Sequence, residues 1–182
     1  MTLRPTVLML PGYENSGPGH WQTLWEEAHP EFRRVQQRDW TAPVCDEWVA
    51  ALDAAILHAG APVVLVAHSL GSLTVAHHAR RHARPVHGAL LVAPPNVDDP
   101  TFPPIAKSFR PIPRERLPFR SIVVVGDDDW YVDADTARGL AAAWGSRFVL
   151  IERGGHLNTD AGFGPWPEGE RLLAELTTPL PG

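Results

Sequence analysis

Five short runs of consecutive apolar residues constrain the fold of this chain more than any other feature of its sequence. Continuous rather than alternating apolar residues are typical of strands that are buried on both faces of a parallel sheet. A weaker, more polar run at residues 34–38 is expected to add another strand. The five apolar runs lie at residues 6–10, 63–67, 89–93, 122–125 and 148–151.

Segments with helical periodicity separate these runs. In one of them, Trp48, Val49, Leu52 and Ile56 recur at the spacing of a single helix face. Because a parallel connection needs a crossover of helical length, alternating strands and helices predict a parallel sheet with helices on both faces. We therefore predict a three-layer, doubly wound α/β fold with a mostly parallel sheet of about six strands. The expected helices lie at residues 19–28, 45–59, 69–82, 132–144 and 167–177.

The composition excludes several classes of protein. A chain of 182 residues is the size of one domain, which we expect to span residues 1–182, and a hydrophobic fraction of 44% excludes a disordered chain. The net charge of −5 argues against a nucleic-acid partner. The single cysteine, Cys45, cannot form an internal disulfide, which favours a reducing compartment and a cytoplasmic location. No apolar stretch is long enough for a signal peptide or a membrane span, so no membrane association is expected.

One long connection interrupts the regular alternation of strands and helices. Residues 94–118 contain eight prolines, with Phe102, Ile105 and Phe109 as apolar anchors. Long connections of this kind are either functional rims or packed surface excursions that are stiffened by proline. The sequence leaves both interpretations open.

The residue that follows the strand at 63–67 points to nucleophilic catalysis, because ligands of doubly wound sheets bind at the carboxyl ends of the strands. Ser69 lies between this strand and a helix, with the small residues Ala67 and Gly71 two positions away on either side. This is the strand-turn-helix arrangement of a nucleophile elbow, although alanine replaces the usual first glycine. The alternative interpretation is that Ser69 only caps the following helix.

A serine hydroxyl needs a base and a third group that orients this base, and two other strand ends supply both. Asp129 and His156 each follow a predicted strand, the histidine through a pair of glycines. The spacing G-x-x-D-x-x-V favours Asp129 as the acid over Asp128, which is the second choice, while Asp127 is expected to lie in a solvated turn. The chain order of serine, aspartate and histidine is that of α/β-hydrolases.

An oxyanion hole needs two backbone N–H donors. The N–H of Leu70, directly after the serine, is one candidate, and the N–H of Tyr13, in the loop after the first strand, is the other. Gly12 allows this loop to approach the serine closely. The glycines of the loop lack the spacing of a phosphate-binding loop, so nucleotide binding is not expected.

Two further groups of residues are expected to carry no chemistry. His78 and His82 have the i, i+4 spacing of a zinc site, but the residues between them lack an acidic base, so we expect a solvated helix face. Cys45 has no histidine placed to activate it and is expected to be a buried or incidental thiol. We predict neither a metal nor any other cofactor.

Several motifs extend over nearly the whole chain: LPG at 10–12, HWQ at 20–22, DW at 39–40, HSLG at 68–71, APP at 93–95, DDP at 98–100, GHLN at 155–158 and GFGPWPEG at 162–169. With these motifs the chain resembles the small YdeN-like serine hydrolases, the family that also contains retinoblastoma-binding protein 9. The resemblance implies a reduced α/β-hydrolase fold without a large cap domain and a triad of Ser69, His156 and Asp129. The family commonly has a proline directly after the aspartate, where this chain has Trp130, a candidate wall of the pocket.

The sequence therefore predicts a serine hydrolase, and specifically a carboxylesterase that cleaves small acyl esters through an acyl-enzyme. The preference for small acyl groups follows from the lack of a cap domain. The alternative is a catalytically weak hydrolase fold that acts as a protein-binding module and so has a protein partner. Three catalytic residue types at three separate strand ends favour the enzyme, because a binding module has no need of them.

Overall fold

The computed structural model describes residues 5–60 and 62–178 and contains a six-stranded sheet. The strands are β1 (Thr6–Leu10), β2 (Arg33–Arg34), β3 (Val63–His68), β4 (Val86–Val92), β5 (Arg120–Gly126) and β6 (Arg147–Ile151). Their order in the sheet is β2-β1-β3-β4-β5-β6, and every neighbouring pair is parallel. The predicted doubly wound α/β fold is confirmed, and all carboxyl ends of the strands meet at one edge of the sheet.

Helices cover both faces of this sheet. They are α1 (Trp21–Ala28), α2 (Cys45–Ala59), α3 (Leu70–Arg81), α4 (Ala134–Trp144) and α5 (Pro167–Thr177). One core lies between the sheet and α2, α3 and α4, and a second core lies between the sheet and α1 and α5. No helix in the described part of the chain is both long enough and apolar enough to cross a membrane.

β3 shows why continuous apolar runs form these strands. Val64 and Val66 belong to the core beneath α1 and α5, whereas Leu65 and Ala67 belong to the core on the opposite face. All four side chains are fully buried. A strand with helices on both faces leaves no position for a polar side chain, which produces the continuous pattern.

The structure corrects the weak strand that was predicted at residues 34–38. β2 contains only Arg33 and Arg34, and the Val35 N–H adds one further hydrogen bond to the Met9 carbonyl at 2.9 Å. Of residues 34–38, only Val35 is buried. Because β2 is an edge strand with a single neighbour, nothing covers the polar residues that follow, and the pairing ends.

Three helices begin one or two residues later than the periodicity predicts, because the residue before the first turn is an N-cap residue with a non-helical backbone. The helix predicted at 132–144 begins at Ala134, since the Asp133 carboxylate accepts the Thr136 N–H at 2.8 Å. The helix predicted at 19–28 begins at Trp21, directly after His20, whose ring caps it. The helix predicted at 69–82 begins one residue after the serine.

Both interpretations of the proline-rich connection apply, to different residues. It contains a 3-10 helix at Pro104–Phe109, in which Ala106 and Phe109 are buried against α2 and α3. Another part of the connection lines a cavity at the carboxyl ends of the strands, through Phe102, Pro103 and Ile105. No large cap domain interrupts the described residues.

Candidate active site

Ser69 lies on a sharp turn between β3 and α3. Its φ of 54° and ψ of −125° are outside the regions that most residues adopt. The Ser69 N–H donates to the Val92 carbonyl at 2.9 Å, which ties the turn to β4. α3 lies so close to the loop after β1 that a Cβ at Gly71 would overlap the carbonyl oxygens of Leu10 and Pro11. The turn therefore has the geometry of a nucleophile elbow, and it requires glycine at this position.

Two of the three aspartates after β5 anchor the loop that follows β6. The Asp127 carboxylate accepts the Arg153 N–H at 2.7 Å, and the Asp128 carboxylate accepts the Gly155 N–H at 2.6 Å. Asp127 is exposed in a turn, as expected, but it also anchors the second loop. A Cβ at Gly126 would overlap the backbone of Gly155, so the two loops touch where both residues are glycine.

The third aspartate, Asp129, faces His156. Its Oδ2 and Oδ1 atoms lie 2.9 and 3.1 Å from His156 Nδ1, and His156 Nε2 lies 3.0 Å from Ser69 Oγ. The Asp129 side chain is fully buried and the His156 side chain is 6% exposed, which shields the pair from bulk solvent. Because a carboxylate only accepts, Nδ1 carries the proton and Nε2 accepts the serine hydroxyl. The structure thus brings the three predicted residues into one hydrogen-bonded chain, and the Ser69 side chain forms no capping hydrogen bond with α3 in the described residues.

Two buried side chains hold the backbone that carries His156. The His68 Nε2–H donates to the His156 carbonyl at 2.8 Å, and the Trp21 indole N–H donates to the Leu157 carbonyl at 2.9 Å. Gly155 and Leu157, on either side of the histidine, both have a φ of 49°. Contacts from α1, β3 and the loop after β5 therefore fix a turn that is locally unfavourable.

The loop after β1 runs beside the serine, as predicted. A Cβ on Gly12 would lie 2.7 Å from Ser69 Cβ and 3.3 Å from Leu70 N. Tyr13 and Leu70 line the cavity together with Ser69. Their N–H groups donate to no acceptor within residues 5–60 and 62–178, so both are free to bind an oxygen atom that carries negative charge.

Side chains from α1 and β2 anchor this loop, a role that was not predicted for them from the sequence. The buried Gln22 amide donates to the Val66 carbonyl at 3.1 Å and accepts the Ser16 hydroxyl at 2.7 Å. The Arg34 guanidinium donates to the Asn15 side chain at 3.0 Å and to the Ser16 carbonyl at 3.1 Å. The loop is thereby fixed to both neighbouring elements.

Two further histidines line the cavity: His20, which the sequence places just beyond the loop after β1 as a candidate rim residue, and His68. The ring centroids of His20 and His68 are 4.8 Å apart, and those of His68 and His156 are 4.9 Å apart. Burial, together with the nearby charges of Arg34 and His156, lowers the pKa of His20 to about 4. Burial also holds the pKa of His68 well below its ordinary value. The position of His68 directly before the serine is the one signal by which sequence reasoning could have found it.

A cavity of about 590 Å³ opens beside Ser69, a size typical of small-molecule sites. Its lining comes from residues 13–15 after β1, from the proline-rich connection and from residues 158–160 after β6. Trp130, the candidate wall of the pocket, is 61% exposed and does not belong to the lining, whereas its neighbour Tyr131 does. The interpretation of Trp130 as a pocket wall is therefore wrong.

The predicted solvated face at His78 and His82 is wrong for His78, which is fully buried. His78 Nε2 forms a hydrogen bond of 3.0 Å with Asp53, and Arg84 donates two hydrogen bonds of 2.8 Å to the same carboxylate. Burial lowers the pKa values of His78 and its neighbour His77. Within the described ranges, no group of three or more histidine, cysteine, aspartate or glutamate side chains is placed to hold a metal ion.

Cys45 lies at the start of α2 and is buried. Burial raises the pKa of its thiol to about 11, so the reactive thiolate is scarce at neutral pH. These properties agree with the expectation of a buried, unreactive thiol.

Known proteins share this architecture. Residues 7–175 match the model of a family described as serine hydrolase. The structure is similar to a YdeN-like hydrolase from Pectobacterium atrosepticum, with 30% identity, a TM-score of 0.86 and coverage of 96% of this chain and 91% of the other. No curated protein sequence is significantly similar to the chain.

Two more distant structures share the fold. The ydeN gene product of B. subtilis is 20% identical with a TM-score of 0.75, and the match covers 94% of this chain and 98% of the other. The carboxylesterase CesB from Bacillus subtilis is 13% identical with a TM-score of 0.67, and the match covers 99% of this chain and 86% of the other.

Proposed function

The chain belongs to the serine hydrolase family, and we propose that it is a carboxylesterase that cleaves small acyl esters with Ser69, His156 and Asp129 as its catalytic triad. The observation that carries this proposal is the hydrogen-bonded chain from Ser69 through His156 to Asp129, which opens on the cavity. A hydroxyl, an imidazole and a carboxylate that are hydrogen-bonded in this order are the groups that acyl transfer by serine requires.

In the first half of the reaction, Ser69 Oγ attacks the acyl carbonyl while its proton moves to His156 Nε2. The Asp129 carboxylate holds the imidazole in the tautomer that can accept this proton and stabilises the imidazolium that results. The N–H groups of Leu70 and Tyr13 are the proposed donors to the oxyanion of the tetrahedral intermediate. The helix α3 begins at Leu70, so its positive end adds to the stabilisation.

Acylation is complete when His156 returns the proton to the leaving alcohol, which departs and leaves an acyl ester on Ser69. The second half of the reaction is the hydrolysis of this ester. A water molecule then attacks the acyl carbonyl, and His156 takes a proton from this water. His156 then gives this proton to Ser69 Oγ as the bond between the acyl carbon and Oγ breaks, which releases the acid and restores the serine hydroxyl. The mechanism needs no group beyond the protein and water.

The preference for small acyl groups rests on how little of the chain encloses the cavity. Loops and the proline-rich connection line it, and no cap domain extends over it in the described residues. Apolar contact with the acyl group is available from Phe102, Ile105 and Tyr131. A volume of about 590 Å³ accommodates a small ester together with its water.

A fluorophosphonate probe followed by intact mass spectrometry tests the proposal. We expect one adduct on the wild type and on Ser72→Ala, a matched control at a buried serine one turn into α3, and none on Ser69→Ala. With p-nitrophenyl esters, kcat/KM is expected to fall as the acyl chain lengthens from acetate to octanoate. An adduct that persists on Ser69→Ala places the nucleophile elsewhere. A folded wild type without any adduct favours the protein-binding module instead.

A further inference from the structure

The residues that line the cavity fall into two groups of different chemistry. The proline-rich connection and the loop after β5 supply apolar side chains, which are Phe102, Pro103, Ile105 and Tyr131. The loops after β1 and β6 supply a polar group, which we call the polar lining: Glu14, Asn15, Asn158, Thr159 and Asp160. An ester that occupies the cavity therefore meets apolar and polar surface at the same time.

The charged side chains of the polar lining are both acidic. Glu14 and Asp160 are exposed, and no lysine or arginine of the described residues lines the cavity. Neither carboxylate has an ion-pair partner within the described residues. Two carboxylates without a basic side chain beside them give the lining of the cavity a negative potential.

Other groups that face this lining do not cancel that potential. Arg34 reaches Asn15, but its guanidinium is paired with Glu26 at 2.6 Å and is largely buried. His20 and His68 are buried beside the cavity and are uncharged at neutral pH, because burial lowers their pKa values. Within the described residues, the two carboxylates of the polar lining are therefore the charged side chains that line the cavity and face an incoming ester.

The direction of the reaction places the leaving alcohol near one of these carboxylates. His156 Nε2 must reach the alcohol oxygen to return its proton, so the alcohol lies on the His156 side of the acyl carbonyl. Residues 158–160 begin two positions after His156 and line the same cavity. Of the two carboxylates, Asp160 is therefore the one whose loop continues from the histidine that protonates the alcohol.

We propose that the polar lining selects esters by the charge of their alcohol: neutral or cationic alcohols are accepted, and alcohols that carry an anionic group are disfavoured. This inference rests on the proposed esterase function and specifies its substrate class. Glu14 and Asp160 are its specificity-determining residues. They act by electrostatic attraction and repulsion of the incoming ester and take no part in bond making or breaking.

Three acetate esters of nearly the same shape test the proposal at low ionic strength. They are acetylcholine, its neutral isostere in which a tert-butyl group replaces the trimethylammonium group, and the acetate ester of isethionate, which carries a sulfonate. For the wild type we expect kcat/KM to fall about fivefold from the cationic to the neutral ester and about fivefold again to the anionic one, as two solvated charges at cavity distances would produce. Added salt should compress these ratios.

The double variant Glu14→Gln/Asp160→Asn is expected to bring the three kcat/KM values within about twofold of one another, since little charge discrimination is left. Glu27→Gln/Glu115→Gln removes the same charge from exposed positions outside the cavity and should keep the wild-type ratios. Equal hydrolysis of all three esters by the wild type, or unchanged ratios in the cavity variant, overturns the charge inference alone. A wild type that hydrolyses none of them overturns the esterase proposal as well.

Discussion

Two histidine–aspartate pairs with a buried imidazole occur in the described residues, and only one of them ends on a hydroxyl. The distance from ring nitrogen to carboxylate is 2.9 Å for His156 and Asp129 and 3.0 Å for His78 and Asp53. Asp53 also accepts two hydrogen bonds from Arg84, which hold the pKa of this carboxyl far below its ordinary value. Asp129, by contrast, accepts only one backbone N–H besides the imidazole in the described structure. The geometry of a pair is therefore not enough to define its role.

The two pairs differ in the other groups that donate to the carboxylate and in the partner of the second ring nitrogen, which for His156 is the Ser69 hydroxyl. Arg84 compensates the charge of Asp53, so little of that charge remains to stabilise an imidazolium at His78. In the part of the chain that the structure describes, Asp129 has no ion-pair partner other than His156. The same two residue types therefore stabilise the fold between α2 and α3 and, in the proposed mechanism, support proton transfer at the carboxyl ends of the strands.

Removal of the two imidazoles is the strongest way to break this comparison. We expect His156→Ala to lower kcat for a p-nitrophenyl ester by about a millionfold, because the base that activates Ser69 is lost. His78→Ala should leave kcat within a few-fold and should instead lower the melting temperature. Steady-state kinetics and thermal unfolding of both variants check the prediction. Comparable kcat losses would show that the two pairs do not differ in role.

Neutralisation of the two carboxylates is expected to have the next largest effect. Asp129→Asn should lower kcat by about ten-thousandfold, because an amide can hold His156 in the wrong tautomer. Asp53→Asn should lower stability and leave kcat nearly unchanged, since Arg84 and His78 lose a charged partner far from the cavity. Urea unfolding beside the kinetics separates the two outcomes. A fully active Asp129→Asn enzyme would exclude Asp129 as the acid.

The stability of the protein at low pH provides a further test, because burial lowers the pKa values of several histidines. A histidine that titrates near 4 in the folded state and near 6.5 in the unfolded state binds fewer protons when folded, so its contribution is present above pH 6.5 and is lost as the pH falls towards 4. For His20 this loss amounts to about 3 kcal/mol. His20→Asn keeps a cap acceptor for the Gln22 N–H but does not titrate.

Urea unfolding at about pH 7 and about pH 4 measures this effect. The wild type should lose more free energy of unfolding between the two pH values than His20→Asn does, by about 3 kcal/mol. The variant at His78 should show its own, separate reduction, because the pKa of His78 is also lowered by burial. An identical loss for wild type and His20→Asn would contradict the burial argument.

The smallest predicted effect concerns Asp128, which holds the loop of His156 without touching its ring. Asp128→Ala should lower kcat about tenfold, because the Gly155 N–H loses its acceptor and the turn is less well fixed. Asp128→Asn retains an acceptor oxygen and should recover most of the activity. If Asp128→Asn is instead more damaging than Asp129→Asn, the assignment of Asp129 as the acid is wrong.

The sequence was sufficient for the sheet and for the three residues that meet at its edge, for one physical reason. Strands buried on both faces leave continuous apolar runs, and Ser69, Asp129 and His156 each follow such a run by a few residues. Parallel strands then bring these ends together without further information. The bounds of the short β2 could not be predicted in this way, because an edge strand with one neighbour has too few apolar residues to show where it begins and ends.

The roles of the other histidines depend on partners that are remote in the chain. His78 is buried because Asp53 on α2 accepts its hydrogen bond, and His68 donates to a carbonyl 88 residues away. No local pattern reports such pairings, and a histidine on a helix reads as solvated unless its neighbours are known. The anchoring roles of Asp127 and Asp128 were hidden in the same way, since their acceptor atoms meet backbone N–H groups of another loop.

The proposed triad is drawn from the turns after β3, β5 and β6, with Ser69 and His156 separated by 87 residues. During synthesis, a nascent chain that has been made only through β4 already carries the serine, but neither the aspartate nor the histidine exists yet. Its hydroxyl is then no more reactive than that of any other serine. In the proposed mechanism, Ser69 is therefore not activated until β6 has paired with β5. A covalent probe that reacts with activated serine then reports the completion of folding as well as catalytic competence.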